Sequence, residues 1–131
     1  MKSSVLDTNV LLRFLVGDER AQHERAAQWF REAEAGTRRI AVTPVVIAET
    51  SFVLESFYRQ SREHIAGALE VFVSQRWLQI DERIVLQRLW PVYRKGLHFV
   101  DAYLASWATT HGCGILTFDK VLKKREGGAT K

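Results

Sequence analysis

One cysteine, Cys113, in 131 residues excludes an intramolecular disulfide framework, and its setting beside Gly112 and Gly114 reads as a small residue at a strand entrance. No apolar stretch approaches the roughly 20 residues that a membrane span requires. The N-terminus lacks the basic start, apolar run and small-residue cleavage site of a secretory signal, so a cytoplasmic chain is expected. The four histidines, His23, His64, His98 and His111, have no spacing of the HExxH kind, which argues against a zinc site. A glycine-rich phosphate loop, a G-x-S-x-G elbow and a Cys/His nucleophile arrangement are also missing, and there is no internal repeat or low-complexity tract.

What is present suits an ordinary globular chain of one domain, 1–131, with 47% apolar and 26% charged residues. Its net charge is +4 and its pI is about 9.5. Part of the excess is clustered at Arg38-Arg39, at Arg94-Lys95 and at Lys120, Lys123, Lys124 and Arg125. Such clusters suit a polyanionic partner, but they equally suit solvated helix ends, so charge alone does not choose.

Hydrophobic patterning divides the chain into alternating elements. A short apolar run ends at Asp7 and gives way to a helical pattern that begins at Val10. Gly17 and Asp18 read as a stop followed by an N-cap, with a second helix running to about Gly36. Ile40 to Val42 is a short strand, and Pro44 suits the first turn of a helix reaching about Tyr58. Ser61 caps a helix to about Ser74, Trp77 to Ile80 forms a strand, and Asp81 caps a helix from Glu82 to roughly Lys95. An amphipathic helix from Phe99 to His111 stops at Gly112, and Gly114 to Phe118 is the last strand. The tail from Glu126, with Gly127-Gly128, has little apolar content and is expected to fray or to begin a truncated strand. This order calls for an α/β fold with a parallel sheet between helical layers.

Four acids stand out. Asp7 and Asp119 each end a strand-like run, at the edge where open α/β sheets bind ligands. Glu49 has Val45, Val46, Phe52 and Val53 at helical spacing, which predicts that it faces the core. Asp101 shares a face with Leu104, Ala105 and Ala108 in the first turn of its helix. Singly, each has an ordinary role as a cap, a dipole partner or half of an ion pair. Four carboxylates converging on one sheet edge would repel one another strongly unless a divalent cation neutralised them, and an oxygen-only set suits Mg²⁺ or Mn²⁺. The chemistry this leaves is metal-assisted hydrolysis.

Taken together, Val5-Leu6-Asp7-Thr8-Asn9, the helical Glu49, Asp101-Ala102-Tyr103-Leu104-Ala105 and Leu116-Thr117-Phe118-Asp119 closely resemble the PIN-domain ribonucleases, and within them the VapC-type toxins of bacterial toxin–antitoxin pairs. The resemblance spans almost the whole chain. It implies a three-layer α/β/α sandwich around a parallel sheet, a Mg²⁺- or Mn²⁺-dependent endoribonuclease, a homodimer, and a small antitoxin that blocks the active site. By position it makes Asp7, Glu49 and Asp101 the principal acids and Asp119 the fourth, with Thr8, Asn9 and Thr117 as supporting polar residues. Family members usually continue from the T-F-D segment into a final short strand, which puts the edge of the sheet here in question. A PIN-like module that binds RNA or a protein without cutting is the alternative. Aspartyl-phosphate phosphatases fit less well, because the position two residues after the first acid is Asn9; a receiver-type domain lacks its paired acids.

Overall fold

A computed structural model describes residues 1–124 of the chain. Among them, β1 (Lys2–Val5), β2 (Arg38–Val42) and β3 (Gln79–Ile80) form one sheet in the order β1-β2-β3, with both pairings parallel. The register sets Ser4 opposite Ile40 and Val42 opposite Ile80. β2 carries the buried Ile40 and Val42 through the middle of the core, whereas β1 is exposed along its whole length. A parallel sheet aligns the strand C-termini, so the chain leaves β1, β2 and β3 on one side, through Asp7, Thr43 and Asp81 respectively.

Among the described residues there are also eight helices: α1 (Thr8–Val16), α2 (Arg20–Glu34), α3 (Pro44–Ser56), α4 (Arg62–Val73), α5 (Arg83–Arg88), α6 (Trp90–Arg94), α7 (Phe99–His111) and α8 (Lys120–Lys123). The main core runs from Leu11 and Leu12 through Phe30, Ile47, Leu54 and Leu69 to Trp90 and Tyr93. Burying each large side chain contributes roughly 1.5–3 kcal/mol, which fixes α1 and α3 against the sheet and therefore fixes their N-termini. Gly17 and Gly112 stop α1 and α7 in the left-handed conformation that the sequence requires of them, and Pro44 opens α3.

Three expectations are corrected. Glu19, and not Asp18, caps α2, accepting from the amides of Ala21 and Gln22; Asp18 instead pairs with Arg13 and accepts from the Tyr58 hydroxyl. The single helix expected from Glu82 to Lys95 is two, because Pro91 has no amide to donate and the chain restarts at Trp90; Glu82, in the left-handed region, stands in the cap position expected of Asp81. Gly114 to Phe118 is not a strand. Ile115 and Leu122 pack in a satellite cluster with Ala105 and Ala108 of α7, away from the sheet, and leave Leu116 and Phe118 fully exposed at 102% and 107%. The tail from Glu126, where fraying or a truncated strand was expected, lies outside the described residues.

Candidate active site

Asp7 is positioned from both sides. Leu6, immediately before it, is buried and donates its amide to Ala41 O at 2.9 Å, extending the β1–β2 ladder by one residue. Asp7 itself is the extended N-cap of α1 and accepts from the Asn9 amide at 3.3 Å, so the carboxylate stands exposed at the C-terminal edge of the sheet. Thr8 follows, buried, and its hydroxyl donates to Glu49 Oε1 at 2.5 Å, a length typical of a hydroxyl on a carboxylate. Glu49 lies in the second turn of α3, and α3 leaves the neighbouring strand β2 just as α1 leaves β1. Two adjacent parallel βα units thus bring Asp7, Thr8 and Glu49 together.

Glu49 does not face the core. It is exposed, and so are its helical neighbours Val45 (73%) and Phe52 (65%). The buried face of α3 is Val46, Ile47, Thr50, Ser51 and Leu54. Because α3 is apolar on two faces, the spacing around Glu49 identified an apolar stripe but not the one that is buried.

Asp101 is half-buried in the first turn of α7 and lines a cleft of about 270 Å³ with Ala48, Ser51 and Phe52 of α3. The start of α7 is held by Arg62, whose Nη1 donates to Tyr93 O at 3.1 Å and to Leu97 O at 2.7 Å while the guanidinium lies 4.5 Å over the Tyr93 ring. Arg83 clasps three further carbonyls, those of Val73, Gln75 and Leu78, and fixes the chain leading into β3; its burial lowers the guanidinium pKa. Nothing in the spacing around Arg62 or Arg83 distinguishes them from surface arginines. Asp81, at the end of β3, was legible as a strand-end acid by the same signal as Asp7. With Glu82 it faces Tyr103, whose phenol pKa is raised first by burial and then by those two negative charges.

Asp119 is a local cap. Its Oδ1 accepts from the amides of Val121 (2.8 Å) and Leu122 (3.2 Å), and its own amide donates to the Thr117 hydroxyl at 3.0 Å. Both belong to the segment that packs on α7, not to the sheet edge. Among the described residues no three Asp, Glu, His or Cys side chains come close enough to hold a metal together. The residues at the sheet edge nevertheless fit Mg²⁺ or Mn²⁺ in kind: Asp7 and the Thr8-held Glu49 are exposed oxygen donors. Mg²⁺ is commonly held by one or two carboxylates, with water and substrate phosphate filling its other positions.

The surroundings of Asp7 are basic. A cavity of about 450 Å³ beside it is lined by Lys2, Arg25 and Arg38, with Trp29 and Phe30 as its apolar wall. Arg38 also pairs with Glu32 at 2.8 Å, and that hydrogen bond, followed by one from Gln28, holds the Glu32 carboxyl below the usual range.

The family model for the PIN domain matches residues 4–128. A VapC ribonuclease of Aquifex aeolicus (strain VF5) is 30% identical over 91 residues, covering 70% of this chain and 67% of that protein. No solved structure matches the chain significantly. A parallel sheet flanked by helices, with an acid closing its first strand and a second acid on the helix after its second, agrees with the sequence match, and the chain belongs to the PIN domain family.

Proposed function

We propose that this chain is a Mg²⁺- or Mn²⁺-dependent endoribonuclease of the VapC kind, the toxin of a type II toxin–antitoxin pair. The observation that carries the reading is the joining of Asp7 and Glu49 through Thr8 at the sheet edge of a PIN domain similar to a VapC ribonuclease. Asp7 and Glu49 are the residues that would hold the ion, with Asp101 as a further acid; Asp119, the fourth by resemblance, is a local cap in this structure and is left outside the site. When bound, the ion would lower the pKa of a water and offset charge on the phosphate. Thr8 fixes one oxygen of the exposed Glu49, and the Asp7 and Glu49 oxygens accept from water and orient it. Water oxygen bonds to phosphorus, the bond from phosphorus to the 3′ oxygen breaks, and the departing oxygen takes a proton. The products are a 5′-phosphate and a 3′-hydroxyl. Mapping the cut ends tests this: a 5′-phosphate supports the route, and a 2′,3′-cyclic phosphate contradicts it.

The antitoxin, the homodimer and a cytoplasmic setting rest on the family resemblance. Val45 and Phe52 of α3 with Val100 and Leu104 of α7 bare an apolar face beside Glu49 and Asp101, and we assign the homodimer to this face. Sedimentation of the native chain beside Phe52→Glu tests the assignment, with a shift to monomer expected. Co-expression with the adjacent reading frame tests the antitoxin; failure to relieve growth inhibition counts against it. The second reading, a PIN module that binds RNA without cutting, is favoured by the absence of a three-acid cluster among the described residues. Calorimetry that finds no Mn²⁺ affinity would support that second reading.

A further inference from the structure

Resting on the RNA-directed reading above, we infer that Arg25, laid over Trp29 between two cavities on the first turn of α1, is a stacking platform for an unpaired nucleotide next to the bond to be cut. The larger cavity, about 450 Å³, touches Asp7; the smaller, about 230 Å³, touches Asn9; Val10, Arg25 and Trp29 line both. The larger has the volume of a small-molecule site. Arg25 stands 5.2 Å over the Trp29 ring and has no carboxylate partner among the described residues, whereas Arg20, one turn earlier on the same helix, pairs with Glu24. Trp29 is half-buried against the main core, so the indole is a fixed base that pre-orders the guanidinium above it.

This combination selects the ligand. A guanidinium plane on an indole offers a flat cationic face for a base and edge N–H groups for a phosphate. Lys2 adds charge along the same wall, which also carries the Arg38 already paired with Glu32, and among the described residues Asp7 is the one acid lining the larger cavity. An unpaired strand can present a base to such a platform, but a duplex keeps its bases stacked within the helix. A protein partner would gain from the apolar wall but would need acidic groups to meet Arg25 and Lys2.

Binding of a fluorescein-labelled 12-nucleotide single-stranded RNA, followed by anisotropy in EDTA at two or more salt concentrations, tests this without cleavage. Arg25→Ala is expected to weaken binding about tenfold, the equivalent of one stacking contact. It should also reduce the slope of log affinity against log salt by about 0.7. Arg25→Lys should restore the slope but not the affinity, because a lysine keeps the charge and loses the plane. Arg20→Ala should stay within about twofold of the native chain. Native affinity in Arg25→Ala, or full recovery in Arg25→Lys, would overturn the platform. So would RNA binding that is unchanged while the co-expressed antitoxin is lost, which would make this a protein groove. Binding that depends on Arg25 in a chain that never cuts RNA would leave the platform standing and defeat the proposed activity; cutting that ignores Arg25 would do the reverse.

Discussion

Replacing Thr8 by valine removes one hydroxyl and keeps the side-chain shape, so it isolates the bond from Thr8 to Glu49. A hydrogen bond to a charged group is worth about 1.5–3 kcal/mol net. Glu49 is exposed, so water takes over the acceptor once the hydroxyl is gone, and the buried valine methyl has no polar need of its own. Both effects reduce the cost to about 1 kcal/mol, or roughly 3–5 °C in the melting temperature of a domain this size. The effect on rate should be larger. Freed from Thr8, Glu49 samples other rotamers, and misplacement of a reacting group by about 1 Å can cost on the order of 100-fold. The expected result is kcat down by about 10- to 100-fold with KM within about threefold, and substantial rescue by Thr8→Ser, which restores the donor. Initial rates on a defined RNA oligonucleotide, with thermal melts of the same preparations, give both readouts. A Thr8→Val protein that melts normally and keeps the native kcat would refute the idea that this contact positions Glu49 for chemistry.

Other consequences follow from the same structure. Arg62→Met should lower stability by about 2 kcal/mol, because the carbonyls of Tyr93 and Leu97 lose their donor and Tyr93 loses the cation on its ring; an unchanged urea midpoint would contradict this. Tyr93 buries its hydroxyl without a partner among the described residues, so Tyr93→Phe should change stability at neutral pH by less than about 1 kcal/mol. Burial also raises the Tyr93 pKa above its unfolded value near 10. The fold therefore keeps a proton that the unfolded chain releases, and this part of the stability is complete below about pH 10 and lost as pH rises beyond it. Melts from pH 8 to 11 should fall less steeply for Tyr93→Phe, and identical slopes would count against the burial argument. Leu116→Ser combined with Phe118→Ser should leave the melting temperature within about 1 °C, since neither side chain is buried; a drop of several degrees would show that this segment docks as a strand after all.

Much of the fold was legible because its signals were local. Pro44, Gly17, Ser61 and Gly112 punctuate the helices where the chain needs an N1 proline, a left-handed stop or a side-chain cap. Ile40 and Val42 mark the central strand because both must be buried there. Misreadings arose where the deciding contact is distant in sequence. Whether Val45 or Val46 marks the inward face of α3 depends on what packs against it, and the apolar run in Gly114 to Phe118 gives strand character without supplying a neighbouring strand. The position of Asp7 could be read from the end of an apolar run, and that of Asp101 from a first turn. Thr8 was marked only by resemblance as a supporting polar residue; its bond spans 41 residues to Glu49, and no pattern of one segment can show it.

The most direct measurement is cleavage of a panel of structured and unpaired RNAs by protein free of antitoxin, with Mg²⁺, with Mn²⁺ and with EDTA, beside Asp7→Asn and Glu49→Gln proteins of native melting temperature. The account predicts internal cutting that requires the ion, leaves 5′-phosphate ends and falls by at least about 100-fold in Asp7→Asn. Cutting that persists in EDTA, or that proceeds unchanged in Asp7→Asn, would contradict it.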